Sequence, residues 1–357
     1  MGETSYECGF FEENFRFLSD NLKSAIQNPK WWAMFAFVLT FAFGGAVASA
    51  QQPGKIARIG YLDGGTPSGM ATVLLSAFRQ ELNKLGWAEG KNITIEYRFA
   101  EQKLDRLPVL ATELVGQKVD LIVVNSVASA SAAKNATTTI PIVMAAGSDP
   151  VAAGLIASLA RPGGNVTGLS GLASELNTKR LEVLKDVVPK LVQVGLLQQP
   201  GVSKGRDLQL KELRAADSAL KLRLEEIDTQ TDLKGLESAF QTAKQKQLGA
   251  IMTIAARRFE DERKRIVELA TKYRLPAIYP QKEFVEAGGL MSYGTNLADL
   301  NRRAAGYVDK ILKGAKPGDL PVQHATKFEF VTNLKAAKEI GLTIPVRILE
   351  RANQVIR

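Results

Sequence analysis

"IPIVMAAGSDPVAAGLIASL", residues 140–159, joins an apolar run to a small-residue helical pattern through Gly147-Ser148-Asp149-Pro150. An unbroken apolar run bounded by turn residues reads as a strand buried on both faces. Asp149 suits a helix N-cap and Pro150 the first helical position, so a helix is expected to start there. A strand running straight into a helix is half of a βαβ unit, and that reading decides the fold.

Outward from this junction the same rhythm repeats. Strands are expected at 57–62, 92–100, 119–125 and 140–146, with helices at 70–86, 105–117 and 126–138. The pattern then restarts, with strands at 165–170, 192–198, 222–229, 249–255, 275–280, 288–294 and 327–333. Helices are expected between them at 177–189, 206–221, 232–246, 259–273 and 297–313. Two sets of about five or six strands suit two doubly wound parallel sheets, an α/β fold of two lobes. The turn-rich stretches 159–168 and 312–321 are the best crossover candidates, and both are too short to be free tethers.

In parallel sheets ligands bind at the carboxyl ends of the strands, where helix N-termini offer unpaired N–H groups. Three junctions of the first set converge on one such edge. Gly64, Gly65 and Thr66 follow the first strand, Asn125 and Ser126 the third, and Ser148 and Asp149 the fourth. The second set adds Gln199, Arg257, Tyr279, Glu283 and Tyr293 as ligand-binding candidates. Taken singly, each is equally a turn residue, a cap or a core edge. No G-x-G-x-x-G and no G-K-[ST] follows a strand, so neither dinucleotide nor P-loop nucleotide binding is indicated.

Composition narrows the function classes. Cys8 is the only cysteine and His324 the only histidine, which leaves no internal disulfide, no His-rich metal site and no His-based triad. No cofactor, metal or catalytic residue is expected. Lys30 precedes 20 uncharged residues, Trp31 to Ala50, ending in Ala48-Ser49-Ala50. This is a secretory signal peptide with an atypically long N-terminal extension, cleaved after Ala50. An uncleaved anchor is the competing reading, since such a length spans a bilayer. Without residues 1–50 the chain keeps 43 basic and 32 acidic residues, net +11. These lie beside acids on helical faces ("RRFEDERKR"), with no aromatic interleaving, which is a solvated surface rather than a nucleic-acid interface.

Several long runs resemble ABC-transporter substrate-binding proteins of the TrpX-like family. They are "ARIGYLDGG", "GWAEGKNITIEYRFAEQKLDRLPVLATELV", "ATTTIPIVMAAGSDPVAAGLIASLARPGGNVTGLS", "KRLEVLKDVVPK" and "LPAIYPQKEFVEAGGLMSYGTN". The resemblance runs from about Lys55 to Arg357. It implies the type 1 periplasmic-binding-protein fold, two lobes joined by a hinge of three crossings. On that template lobe 1 is 55–165 plus 282–316 and lobe 2 is 166–281 plus 317–357. It further implies a periplasmic monomer that captures a small-molecule solute and delivers it to a membrane permease by hinge closure. Some relatives are receptors for aromatic amino acids. The chain departs where relatives carry Asn-Pro, with Gln199-Pro200 at the lobe 2 pocket edge.

Energetics favour a partly apolar solute. Micromolar affinity takes about 8 kcal/mol. Helix ends contribute about 0.3–1 kcal/mol each. Burying an aromatic group adds about 4–6 kcal/mol, from roughly 150–250 Å² at about 25 cal/mol/Å². The polar head is therefore expected at Thr66, Ser126 and Ser148, and the apolar part near Tyr279 or Tyr293. A secreted sensor or enzyme on the same two-lobe fold is the alternative.

Overall fold

A computed structural model describes residues 56–198, 210, 213–216, 218–230 and 232–357, with residues 173, 174 and 257 described by backbone alone. The expected signal peptide and cleavage point at Ala50 lie outside the described residues, as do Gln199 and part of the helix expected at 206–221.

The strands are β1 (Ala57–Asp63), β2 (Ile93–Phe99), β3 (Leu121–Val124), β4 (Ile142–Met144), β5 (Val166–Ser170), β6 (Gln193–Gln198), β7 (Arg223–Asp228), β8 (Ala250–Thr253), β9 (Ala277–Tyr279), β10 (Met291–Thr295), β11 (Gln323–His324), β12 (Phe328–Asn333) and β13 (Gln354–Ile356). The described helices are α1 (Met70–Lys84), α2 (Leu107–Gly116), α3 (Val127–Ala136), α4 (Ala173–Val187), α5 (Leu233–Gln245), α6 (Arg257–Asp261), α7 (Arg263–Lys272), α8 (Lys282–Glu286), α9 (Leu297–Leu312), α10 (Leu334–Glu339) and α11 (Val346–Leu349).

One sheet has the order β11-β5-β4-β3-β1-β2, and all its pairs are parallel. The other has the order β13-β12-β10-β9-β8-β6-β7. It is parallel except where β12 enters antiparallel to β10, a departure from the expected all-parallel sheet. The fold is therefore two α/β lobes, each with a sheet covered on both faces. In the first, Ile59 and Tyr61 of β1 pack towards α1 and α9, while Leu62 packs towards α2 and α3. This is the period-two alternation of a strand read from two sides. In the second, Val194 and Leu196 face α4 and the C-terminal helices, and Leu197 faces α5 and α7.

The lobe boundaries fall later than expected. β5 pairs with β4, so Val166–Ser170 belongs to the first sheet. β10 pairs with β9, so Met291–Thr295 belongs to the second. The chain crosses after each strand is complete, because leaving mid-strand would orphan ladder hydrogen bonds. The three crossings, near Gly171, Asn296 and residues 325–327, are tied to one another. Thr295 Oγ1 donates to the Gly171 carbonyl (2.8 Å), Asn296 N–H to that of Lys327 (3.1 Å), and Ala325 N–H to that of Ser170 (2.8 Å).

The helix expected after Pro150 is a single turn. Ala153 N–H reaches the Asp149 carbonyl at 3.1 Å, and Gly154 follows at φ 70°, where a glycine ends the turn without Cβ strain. The helix expected at 259–273 is two, α6 and α7, broken at Glu262.

Candidate functional site

The carboxyl ends of β1, β3 and β4 open onto the second lobe across a cavity of about 310 Å³. Its walls come from both lobes. Asp63, Gly64, Asn125, Ser126, Gly147 and Ser148 face it from the first, and Arg180, Glu260, Pro280 and Gln281 from the second. Leu74, Leu104, Leu176 and Leu297 supply apolar wall, and Gly171 and Thr295 form the hinge side.

Four expected residues meet here: Gly64, Asn125, Ser126 and Ser148. Ser126 is the N-cap of α3, and its Oγ accepts the Ser129 N–H at 3.1 Å. Asn125 Nδ2 donates to Tyr61 Oη (2.5 Å) and faces Asp63 Oδ2 (3.4 Å). That fixes the amide, and leaves its Oδ1 buried without a hydrogen-bond partner.

Other expected residues are near the rim or turned away. Gly65 N–H donates to Asp63 Oδ1 (2.7 Å), holding the β1 turn, and Gly65 does not line the cavity. Thr66 Oγ1 bonds Ser68 Oγ at 3.1 Å. Asp149 Oδ1 accepts the N–H groups of Val151 and Ala152, both at 3.0 Å, so it caps its own turn. Tyr279 is fully buried on the α5/α7 side and stacks on Phe284 with centroids 4.6 Å apart. Burial pushes its hydroxyl pKa up. Tyr293 packs edge-on to Phe330 in the core. Neither tyrosine lines the cavity, because alternate residues of β9 and β10 must point into the lobe's own core. The apolar wall is aliphatic instead. Glu283, on α8, is half-buried outside the cavity, and desolvation raises its carboxyl pKa. Arg257 begins α6 beside the lining residue Ala256. Gln199 lies outside the described residues.

The residue that sequence reasoning missed is Arg180. It is 2% exposed, and burial pushes its guanidinium down to about 9, still charged at neutral pH. Nε donates to the Tyr293 carbonyl (2.6 Å) and Nη1 to Asn177 Oδ1 (2.5 Å). Among the described residues no carboxylate forms an ion pair with it. A signal was present in the sequence. Residues 176, 180, 181, 184 and 187 make the buried stripe of α4, so Arg180 is a charge at a core position of an amphipathic helix. Gln281 was missed as the strand-end residue after Pro280, and its buried Oε1 also lacks a partner. Asp63 and Glu260 are buried carboxylates already engaged with neighbouring groups. Among the described residues no three His, Cys, Asp or Glu side chains are placed to hold a metal. His324 is exposed on β11. Among the described residues no helix is long and apolar enough to cross a membrane.

Residues 69–356 match the family model described as ABC transporter substrate binding protein. A tyrosine-binding protein of Clostridioides difficile (strain R20291) is 29% identical over 270 residues, covering 74% of this chain and 75% of that protein. Among solved structures, a conserved domain protein of Vibrio cholerae O1 biovar El Tor superposes with a TM-score of 0.78 at 28% identity, over 84% of this chain and all of that one. An ABC domain of Streptococcus pneumoniae in complex with L-Trp superposes at 0.76, with 27% identity over 84% of this chain and 99% of that one. A ligand-free, open structure of a substrate binding protein with adhesive properties from Clostridium difficile, also 27% identical over the same shares, superposes at 0.62. The two-lobe arrangement is that of type 1 periplasmic binding proteins. With the interlobe cavity, these matches place the chain: it belongs to the ABC transporter substrate binding protein family.

Proposed function

We propose that the protein captures an aromatic or other apolar amino acid in the interlobe cavity, outside the cytoplasm, and delivers it to a membrane permease for import. The observation that carries the reading is a cavity of about 310 Å³ with walls from both lobes, at the strand ends of the first sheet. That volume lies at the lower end of the roughly 300–1,000 Å³ usual for small-molecule sites. A ligand touching both lobes favours their approach through contacts that the separated lobes lack, and only such differential contacts shift the population. Relatives that bind tyrosine and L-Trp support the amino-acid class. The aliphatic wall of Leu74, Leu104, Leu176 and Leu297 replaces the expected tyrosines as the surface for the solute's apolar part.

Isothermal calorimetry with a panel of amino acids, sugars and nucleosides tests the reading, with small-angle scattering on the same samples. Binding of L-tyrosine, L-tryptophan, L-phenylalanine or L-leucine, with a smaller radius of gyration, is the expected result. Heat from sugars or nucleosides alone would remove the amino-acid assignment.

A further inference from the structure

Arg180 is a buried cation with no carboxylate partner among the described residues. Buried cations are costly unless paired, and natural proteins rarely leave one so. Two of its donors are committed to the Tyr293 carbonyl and Asn177 Oδ1, which hold the guanidinium in place. Its remaining amino group, Nη2, has no hydrogen bond to the described residues, and the residue lines the cavity. Two residues lining the same cavity carry buried acceptors without partners, Asn125 with Oδ1 from the first lobe and Gln281 with Oε1 from the second. Asp63 and Glu260 also line the cavity but are engaged with other groups, so Arg180 keeps a positive charge that no carboxylate pairs, near two unfilled acceptors and aliphatic wall. A solute that satisfies all three carries both a carboxylate and N–H donors.

We propose that Arg180 is the receptor for the solute's carboxylate, and that Asn125 and Gln281 accept hydrogen bonds from its amino group. The assignment rests on the reading of the cavity as a solute site and narrows it to solutes with both groups. Asn177 is then a positioning residue, holding the guanidinium towards the cavity. The cost of keeping Arg180 unpaired in the ligand-free protein is offset only when an anion arrives. Discrimination against uncharged analogues follows, because they leave the guanidinium desolvated and unpaired.

The test compares each amino acid that binds with its carboxamide and its des-amino acid, by calorimetry on the intact protein. For L-tyrosine these are L-tyrosinamide and 3-(4-hydroxyphenyl)propionate. The unaltered protein is expected to bind the carboxamide at least ~30-fold more weakly than the amino acid. The des-amino acid is expected to bind about 10-fold or more weakly. In Arg180→Gln the ratio of carboxamide to amino-acid dissociation constants falls towards one, and Arg180→Lys restores part of it. A merely structural role would lower both affinities and leave that ratio unchanged. Should Arg180→Gln fail to fold, the analogue series on the unaltered protein still decides. A carboxamide that binds as tightly as the amino acid overturns the assignment to Arg180, as does tight binding of a sugar or nucleoside. A des-amino acid that binds as tightly overturns the roles of Asn125 and Gln281. If no member of the whole panel binds or contracts the protein, solute capture itself fails, an outcome distinct from these.

Discussion

Gly294 shows how one backbone position sets the cavity wall. A Cβ built there would lie 1.7 Å from the Pro280 carbonyl oxygen and 2.8 Å from its carbon. The obstacle is backbone just past the end of β9, which cannot swing aside as a flexible side chain would. This close approach lets the chain leaving β9 lie against β10 and seats Pro280 and Gln281 at the cavity. Gly294→Ala is expected to destabilise the protein by about 1–3 kcal/mol or more, the usual range for overpacking. The urea midpoint reads that loss, and solute affinity falls with it because Gln281 moves. An unchanged midpoint would mean that the strands separate without cost. At this scale the sequence was legible where function follows from local geometry. Gly64, Asn125, Ser126 and Ser148 stand where strands end, and strand ends are visible as the close of an apolar run. Arg180 was overlooked although it falls on the apolar stripe of α4, because a charge among Lys179, Glu182 and Lys185 reads first as part of a solvated face. Its burial depends on which lobe α4 packs against, a fact of tertiary structure.

Between elements, the loop after β2 links the two lobes at the cavity rim. Glu101 N–H donates to the Gly65 carbonyl (3.0 Å) and Gln102 N–H to that of Gly64 (2.9 Å), so the loop is tied to the turn that ends β1. Glu101 and Gln102 both adopt positive φ, 52° and 67°, a conformation that side-chain-bearing residues hold only when their surroundings enforce it. On the other side, Arg258 of α6 donates from Nε (2.9 Å) and Nη2 to the Gln102 carbonyl, and Gln102 Nε2 donates to Asp261 Oδ2 (3.0 Å). The loop is thus a clasp between a first-lobe turn and a second-lobe helix, next to the cavity-lining residues Gly64, Leu104 and Ala256. Arg258→Ala removes the charged half of the clasp. It is expected to raise the solute dissociation rate about 5-fold, since charge-assisted hydrogen bonds contribute about 1.5–3 kcal/mol when buried and less when half-exposed. The association rate should barely change, because the clasp forms after encounter. Stopped-flow fluorescence separates the two rates, and an unaltered dissociation rate would exclude the clasp. Most elements were legible from periodicity, whereas the clasp was not. It joins residues over 150 positions apart through a backbone carbonyl, which no side-chain pattern marks. The helix expected after Pro150 failed for a local reason. Asp149 does cap the N–H groups of Val151 and Ala152, but Gly154 at positive φ ends the turn before a second can form.

For the whole molecule, the question is what the two lobes do when a solute arrives. The three crossings are side by side and bonded to one another, so any rotation of one lobe against the other would turn about them. The cavity lies on one side of this hinge, with Gly171 and Thr295 in its wall, so a small rotation there changes the gap between Arg180 and Asn125 across the lobes. The lobe arrangement superposes better on the L-Trp complex (0.76) than on the ligand-free, open relative (0.62), at equal identity. The two lobes were legible as two runs of βαβ units, but the boundaries expected at Val166 and Lys282 were each misplaced by a strand. Strand pairing, which assigns β5 and β10, is a long-range choice that an apolar run does not encode. Thr295→Val tests the hinge. It keeps the branched shape, removes the hydroxyl that donates to Gly171, and leaves that carbonyl short of a partner, at a cost of about 1–3 kcal/mol. If that bond holds the crossings in register, the ligand-free variant samples a wider interlobe angle, and its radius of gyration rises above that of the unaltered protein. Saturating solute should bring the two to the same compact value, because ligand at about 100 times its dissociation constant stabilises the bound form by about 2.7 kcal/mol, enough to offset most of the loss. Equal radii without solute would show that the backbone crossings alone set the hinge, and that the Thr295 hydroxyl plays no part in it.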